Sequence, residues 1–260
     1  MIVPFDGSLP GRAVLAPSAD LAWRCGARVV IVTNTEATEA ETRDVLKSRA
    51  MSLSGADVDF WVDTNVSLGR ALLDAAEHRK SPILCVSGRG KPSGLRRQRS
   101  LPPVAQEVLA SATCPVLVIG PETDLSRGLP MTELAVALDG SSNAEQILPM
   151  AAEWCRDLRL RLVLVGVVSA DKDGGHQGEI DYLEAHVEAV RPLVREVSHE
   201  LVAASDPAAG LLEFLHAHED AVLAMSTHGR SGRQRGPLGA VAAKVVASSP
   251  RASVLRRPDH

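Results

Sequence analysis

The sequence is short of aromatic residues, with three Trp, three Phe and one Tyr in 260 positions. So few π-faces exclude the stacking platforms on which single-stranded nucleic acid is usually bound. Basic charge is not in excess either. Lys and Arg number 28 against 32 Asp and Glu, a net charge of −4, which is opposite in sign to the footprint of a nucleic-acid binder. No apolar run approaches the ~20 residues that span a bilayer. The opening MIVPFDGSLP has neither the basic start nor the cleavage site of a signal peptide. A cytoplasmic protein without membrane or nucleic-acid partners is the expectation. The four cysteines (Cys25, Cys85, Cys114 and Cys155) are scattered with no CxxC, as fits small apolar residues in a reducing compartment rather than a disulfide or metal framework. No HExxH occurs, and His216 and His218, two apart, would point to different sides of a helix. No metal site is expected.

What is present is a globular composition, 45% hydrophobic and 23% charged, and an internal repeat. Ile2-Val3-Pro4-Phe5-Asp6-Gly7-Ser8 returns as Ala135-Val136-Ala137-Leu138-Asp139-Gly140-Ser141. Arg28-Val29-Val30-Ile31-Val32 returns as Arg161-Leu162-Val163-Leu164-Val165, and Ile83 to Ser87 is answered by Ala221 to Ser226. Both of the latter runs feed loops rich in Gly and Arg, and each half closes on a short apolar strand, Pro115–Ile119 and Ala252–Leu255. Two similar domains in tandem are predicted, over 1–122 and 131–257, joined by the polar, Gly/Pro-bearing segment Gly120–Pro130.

Continuous Val/Ile/Leu runs alternating with segments of helical period predict α/β domains. Each would be a five-stranded parallel sheet with helices on both faces. The first half reads as strands 2–5, 28–33, 57–62, 82–87 and 115–119 with helices 9–24, 36–53, 67–79 and 102–111. The second reads as strands 133–138, 161–168, 197–203, 221–226 and 252–256 with helices 142–156, 178–191, 207–218 and 238–248. The second of these four helices should stop near Pro192. Ser142-Asn143-Ala144-Glu145 reads as a capping box, and Asp206-Pro207 as a cap followed by an N1 proline.

In an open parallel sheet ligands bind beyond the carboxyl ends of the strands. There each half carries its Asp-Gly-Ser and the Gly/Arg loop that leads into a helix. Glycines let backbone N–H groups approach an anion, the following helix N-terminus favours negative charge, and Arg230, Arg233 and Arg235 add positive charge. The loop has no Gly-Lys-Ser/Thr ending and is no Walker A motif. A plain structural alternative stands beside each feature. Asp6 and Asp139 can serve only to order a strand-to-helix turn, and the loops can be solvated basic turns.

The Asp-Gly-Ser after strand one, Asp206-Pro207, the loop Thr227-His228-Gly229-Arg230-Ser231-Gly232 and the short final strand together resemble the universal stress protein (UspA) family, over nearly the whole chain. The resemblance implies two Rossmann-like domains related as a pseudo-dimer through their last strands, with further pairing into a homodimer open. It implies a stress-response regulator with a protein partner still to be found. A slow ATPase is a third reading, but the loop supplies no evident general base other than His228, so no enzyme is expected. For the nucleotide-binding branch it implies ATP, with magnesium carried by the nucleotide, held by a Gly-x2-Gly-x9-Gly-Ser/Thr loop.

Carried over by position, the second half offers Ala137, Leu138, Asp139, Val167, Met225, Ser226, Gly229, Arg230, Gly239, Ala240 and Val241. Gly229 and Gly239 match the second and third motif glycines. Ser226 stands for the first, and Ala240 for the hydroxyl residue, so the pocket is altered and binding weakened. In the first half only Asp6 and Gly90 match. Ser87, Ser100 and Leu101 replace the rest, Asn34 stands where an apolar residue would meet adenine, and Pro102-Pro103 removes amides from the helix start. The alternative reading is a nucleotide-independent interaction module whose pocket has decayed.

Overall fold

The computed structural model describes residues 1–6, 11, 13–34, 57–89, 101–124, 128–170, 175–229 and 238–258. The first half contributes strands β1 (Ile2–Pro4), β2 (Val29–Thr33), β3 (Val58–Val62), β4 (Leu84–Ser87) and β5 (Val116–Ile119). Its helices are α1 (Leu15–Arg24), α2 (Leu68–Glu77) and α3 (Pro103–Ser111). The second half supplies β6 (Glu133–Ala137), α4 (Ser142–Glu145), α5 (Leu148–Leu158), β7 (Arg161–Ser169), α6 (Gln177–Val190) and β8 (Val197–Ala204). It continues with α7 (Pro207–Ala217), β9 (Ala221–Ser226), α8 (Ala240–Ser248) and β10 (Ser253–Arg256). The helix expected over 36–53 lies outside the described residues, as do Gly90 and Arg230 to Arg235. Among the described residues no helix is long and apolar enough to cross a membrane.

The ten strands form one sheet in the order β3-β2-β1-β4-β5-β10-β9-β6-β7-β8. Every neighbouring pair is parallel except β5 and β10, which run antiparallel with Val254 opposite Leu117 and Leu255 opposite Val116. Each half thus repeats the order 3-2-1-4-5 of a doubly wound domain. The two meet through their last strands about a pseudo-twofold axis. Strands β1, β2, β5 and β9 are buried along their whole length, as expected for parallel strands covered on both faces.

Alternation along the strands divides the core into two layers, each continuous across both halves. One packs Leu21, Leu117, Leu134, Ile147, Leu164 and Val254 under α1, α5 and α6. The other packs Leu72, Leu109, Val118, Phe214, Leu223 and Val246 under α2, α3, α7 and α8.

Two departures from the sequence reading have local causes. The helix expected over 142–156 is split into α4 and α5, with Pro149 in the first turn of the second piece. Pro149 has no N–H for the carbonyl of Glu145, and its ring clashes with it, so the first helix cannot run through. The cap of α4 is Ser141 rather than Ser142; its hydroxyl accepts from the Ala144 amide at 3.2 Å, and Glu145 turns to other partners. Helix α6 ends at Val190, as Pro192 requires.

Asp206 caps α7, accepting from the amides of Ala208 and Ala209, both at 3.0 Å. Its second oxygen receives Lys244 Nζ of α8 at 2.9 Å. The first half answers with different chemistry at the same positions. Ser67 caps α2 by accepting from Arg70 N at 3.1 Å, and its hydroxyl donates to Glu107 of α3 at 2.6 Å. The Lys244 ammonium, then the Ala209 amide, holds the Asp206 carboxyl below its ordinary value of 3.8. A carboxyl depressed by folding stabilises the fold above its unfolded value and ceases to do so as pH falls through the folded one. Asn caps as well as Asp but cannot titrate. Asp206→Asn is therefore expected to keep the cap at neutral pH and to flatten the loss of stability below pH 4, as read by urea unfolding across an acid pH series. An unchanged acid limb would sink this assignment.

At the opposite, amino end of β6, buried Glu133 is bracketed by His218 Nδ1 at 2.8 Å and Arg161 at 3.2 Å. His218 Nε2 faces Glu200 at 3.3 Å while its ring stacks on Phe214, centroids 3.9 Å apart. In the first half Arg79 lies over Trp61 at the corresponding place, 5.3 Å from the ring centre. These clusters rivet the last turns of α7 and α2 to the sheet, at the far end of the strands from the site described next.

Candidate functional site

The chain leaves β6 towards β7 through α4 and α5 on one face, and reaches neighbouring β9 from β8 through α7 on the other. The carboxyl ends of β6 and β9 therefore form a switch point, where the connections diverge and leave a crevice. Asp139 follows β6 there. Its Oδ1 accepts the amide of Ser141 at 3.1 Å and the hydroxyl of Ser141 at 2.5 Å, the turn-ordering role foreseen as the plain alternative. Gly140 occupies φ +79°, a conformation that favours glycine, which gives the Gly of Asp-Gly-Ser its purpose.

The turn also does more than order itself. The Cα of Gly229 lies so close to Asp139 that a Cβ there would overlap carboxylate Oδ2. The two sequence signals, 90 residues apart in the chain, are in contact.

The loop after β9 is pinned at both ends. Thr227 donates its amide to Arg256 O at 2.9 Å, and the Gly239 amide closes back onto Thr227 O at 2.8 Å. Thr227 and His228 are buried, with Thr227 Oγ1 and His228 Nδ1 3.0 Å apart. Gly239 is the N-cap of α8 at φ −63°, ψ 158°, and among the described residues no side chain caps the helix. The positive end of the helix and its first amides face this side of the switch point. Ala240, at the first helical position, is exposed and offers only its amide. Val241 beside it is half-buried.

Among the apolar candidates, Met225 and Leu138 are buried, and Ala137 is half-buried. Leu138 is fixed by its amide to Val165 O at 2.9 Å. Val167 on β7 packs against the first turns of α7, where a Cβ on Gly210 would come within 2.6 Å of its Cγ1. Ser226, the residue in place of the first motif glycine, is 8% exposed, and its hydroxyl has no protein partner among the described residues. A buried hydroxyl without a partner costs about 1–3 kcal/mol unless water or a ligand satisfies it. The structure thus gathers Asp139, Ser226, Gly229, Gly239, Ala240 and Val241 around the switch point; Arg230 lies outside the described residues.

One side of the turn rests on residues that the sequence reading passed over. Tyr182 of α6 donates its hydroxyl to Glu145 at 3.0 Å. Burial, then the Glu145 and Asp139 carboxylates, pushes the phenol above its ordinary range. Helical period placed Tyr182 on a helix but gave no sign of which turn that helix would cover.

The corresponding place in the first half is built differently. Asp6 is exposed. Ser87 Oγ accepts the Arg89 amide at 3.1 Å, and the Arg89 guanidinium spends Nε and Nη2 on Pro121 O at 3.0 and 2.7 Å. Asn34 donates its amide to Val66 O at 3.2 Å where an apolar contact was looked for. Pro102 is the N-cap of α3 and Pro103 its first residue, so the helix start lacks two amide donors. Arg89 is thus engaged within the protein and is not a loose anion clamp.

A parallel sheet of this order is a Rossmann-like fold, and the chain carries it twice in tandem. Residues 131–255, in the second half of the chain, match the model of the universal stress protein family. No curated protein sequence matches the chain. Among solved structures, a universal stress protein from Archaeoglobus fulgidus DSM 4304 covers 99% of this chain over 97% of its own, with 18% identity and a TM-score of 0.74. A putative universal stress protein from Pseudomonas aeruginosa UCBPP-PA14 covers 99% of this chain over 92% of its own, with 17% identity and a TM-score of 0.68. At these identities the likeness is one of fold, over both halves.

Proposed function

We propose that the protein binds an adenine nucleotide in its C-terminal half and works as a cytoplasmic stress-response regulator rather than as an enzyme. The observation that carries this is the contact of Gly229 with the Asp139 carboxylate beside the start of α8, which no described side chain caps. An acceptor for ribose or base hydrogen bonds stands next to an electropositive helix end that suits phosphate. Magnesium would arrive on the phosphates, since among the described residues no cluster of His, Cys, Asp and Glu could hold a metal ion. The first half would be silent towards nucleotide, its helix start blocked by Pro102 and Pro103.

Ala240 favours a second reading, an interaction module with a decayed pocket, because it offers no hydroxyl at the helix start. Isothermal titration of ATP and AMP into nucleotide-stripped protein, with and without magnesium, separates the two. Binding near one site per chain, abolished by Asp139→Ala and strengthened about tenfold by Ser226→Gly with Ala240→Ser, supports a nucleotide site. No heat at millimolar nucleotide overturns it in favour of the interaction module.

A further inference from the structure

Helix α4 has four residues, too few to hold its own shape in water. Yet the Asp139 turn that precedes it depends on it through Ser141, which both donates to Asp139 and caps α4. The support comes from α6. The Tyr182 hydroxyl donates to Glu145, the last residue of α4, at 3.0 Å. One hydroxyl thus fixes the end of the helix whose start is capped by the serine that holds Asp139. His186, one turn along α6, braces the arrangement. Its ring lies 4.5 Å from that of Tyr182, tilted by 52°. Its Nδ1 is 2.9 Å from the Tyr182 carbonyl, which can only accept, so Nδ1 carries a proton and Nε2 is the nitrogen presented to Glu145 at 3.6 Å.

We propose that Tyr182 is a positioning residue of the nucleotide site: by holding Glu145 at the end of α4 it steadies the Ser141 cap that keeps Asp139 against Gly229, and so sets the affinity for an adenine nucleotide. The inference rests on the nucleotide-binding reading given above and extends it to a residue outside the glycine loop and the Asp-Gly-Ser turn. Because burial, then the Glu145 and Asp139 carboxylates, push the phenol's pKa above its ordinary value, the hydroxyl remains a donor throughout the neutral range.

Tyr182 is the sole tyrosine of the chain, which gives a direct readout. Protein labelled with ¹³C at the tyrosine ring yields one tyrosine signal, to be followed while ATP is added. Alongside, ATP is titrated calorimetrically into wild type and Tyr182→Phe, a variant that keeps the ring and its packing. The expected results are a shift of the signal on ATP binding, a shift without ligand in Asp139→Asn, and an affinity about five- to tenfold weaker in Tyr182→Phe. A residue serving stability alone would lower the melting temperature when changed but leave both the signal and the affinity unmoved. Wild type that binds ATP with a stationary tyrosine signal, and a variant that binds equally well, overturn the positioning role and leave the nucleotide reading standing. Wild type that takes up no ATP overturns both. Should Tyr182→Phe fail to fold, the wild-type signal alone decides.

Discussion

Gly229→Ala is expected to remove nucleotide binding while leaving the protein folded. The added methyl overlaps the Asp139 carboxylate, and that carboxylate is not free to yield, being held by the amide and hydroxyl of Ser141. Either Asp139 swings away and gives up both bonds, or the loop after β9 backs off and separates the acidic turn from the start of α8. In either case the nucleotide loses its bonds to Asp139 and to the start of α8; at about 1.5–3 kcal/mol for each hydrogen bond to a charged group, two such bonds amount to about 3–6 kcal/mol, a hundredfold or more in affinity. Gly239→Ala is the informative control. Gly239 sits at an ordinary φ of −63°, and a Cβ there would stand 3.2 Å from Thr227 O, a tight contact that a small adjustment relieves. Calorimetry with a thermal melt on both variants checks the ordering. Equal affinities for the two would show that the contact between Asp139 and Gly229 does not matter to the site.

Leu117→Ala is expected to cost about 2–5 kcal/mol, the usual range for deleting a large aliphatic side chain from a packed core. The informative part is where the loss is felt. Leu117 is wholly buried and faces Val254 across the antiparallel junction, in a core layer that continues from α1 to α6. Trp61 belongs to the first half and Trp154 to the second, each packed against a core layer, so single-tryptophan variants report the halves separately. With one sheet and two shared layers, both reporters should move to lower urea together in a single transition. If only the Trp61 transition moved, the halves would be thermodynamically separate and the junction merely a contact.

Much of this architecture can be read from local pattern. Apolar runs such as Val29 to Val32 declare buried parallel strands, and Asp206-Pro207 declares a helix start, because both signals are complete within a few residues. The repeat set the two halves against each other, and the resemblance paired their last strands. Features that depend on contacts distant in sequence were not legible. Nothing in Gly229 announces that its missing side chain makes room for Asp139, and nothing in Tyr182 announces Glu145. The bracketing of Glu133 by His218 and Arg161 needs three elements brought to one point. The split between α4 and α5 was within reach: Pro149 lies in the interior of the expected helix, where its ring meets the carbonyl of Glu145.

The antiparallel seam between β5 and β10 joins two halves of one chain, yet the same seam could be formed by two separate chains of half the length. Covalent linkage removes concentration from that equilibrium, since the partner strand is always present at the effective molarity set by a short connection. It also fixes composition. Separate subunits, one kind with its helix start closed by two prolines and one without them, would assort into three kinds of pair, some with both helix starts closed. A fused chain always presents one of each. The first half is thereby released from any need to keep its own helix start open, and Pro102 and Pro103 can stand there without depriving any molecule of the second half's crevice.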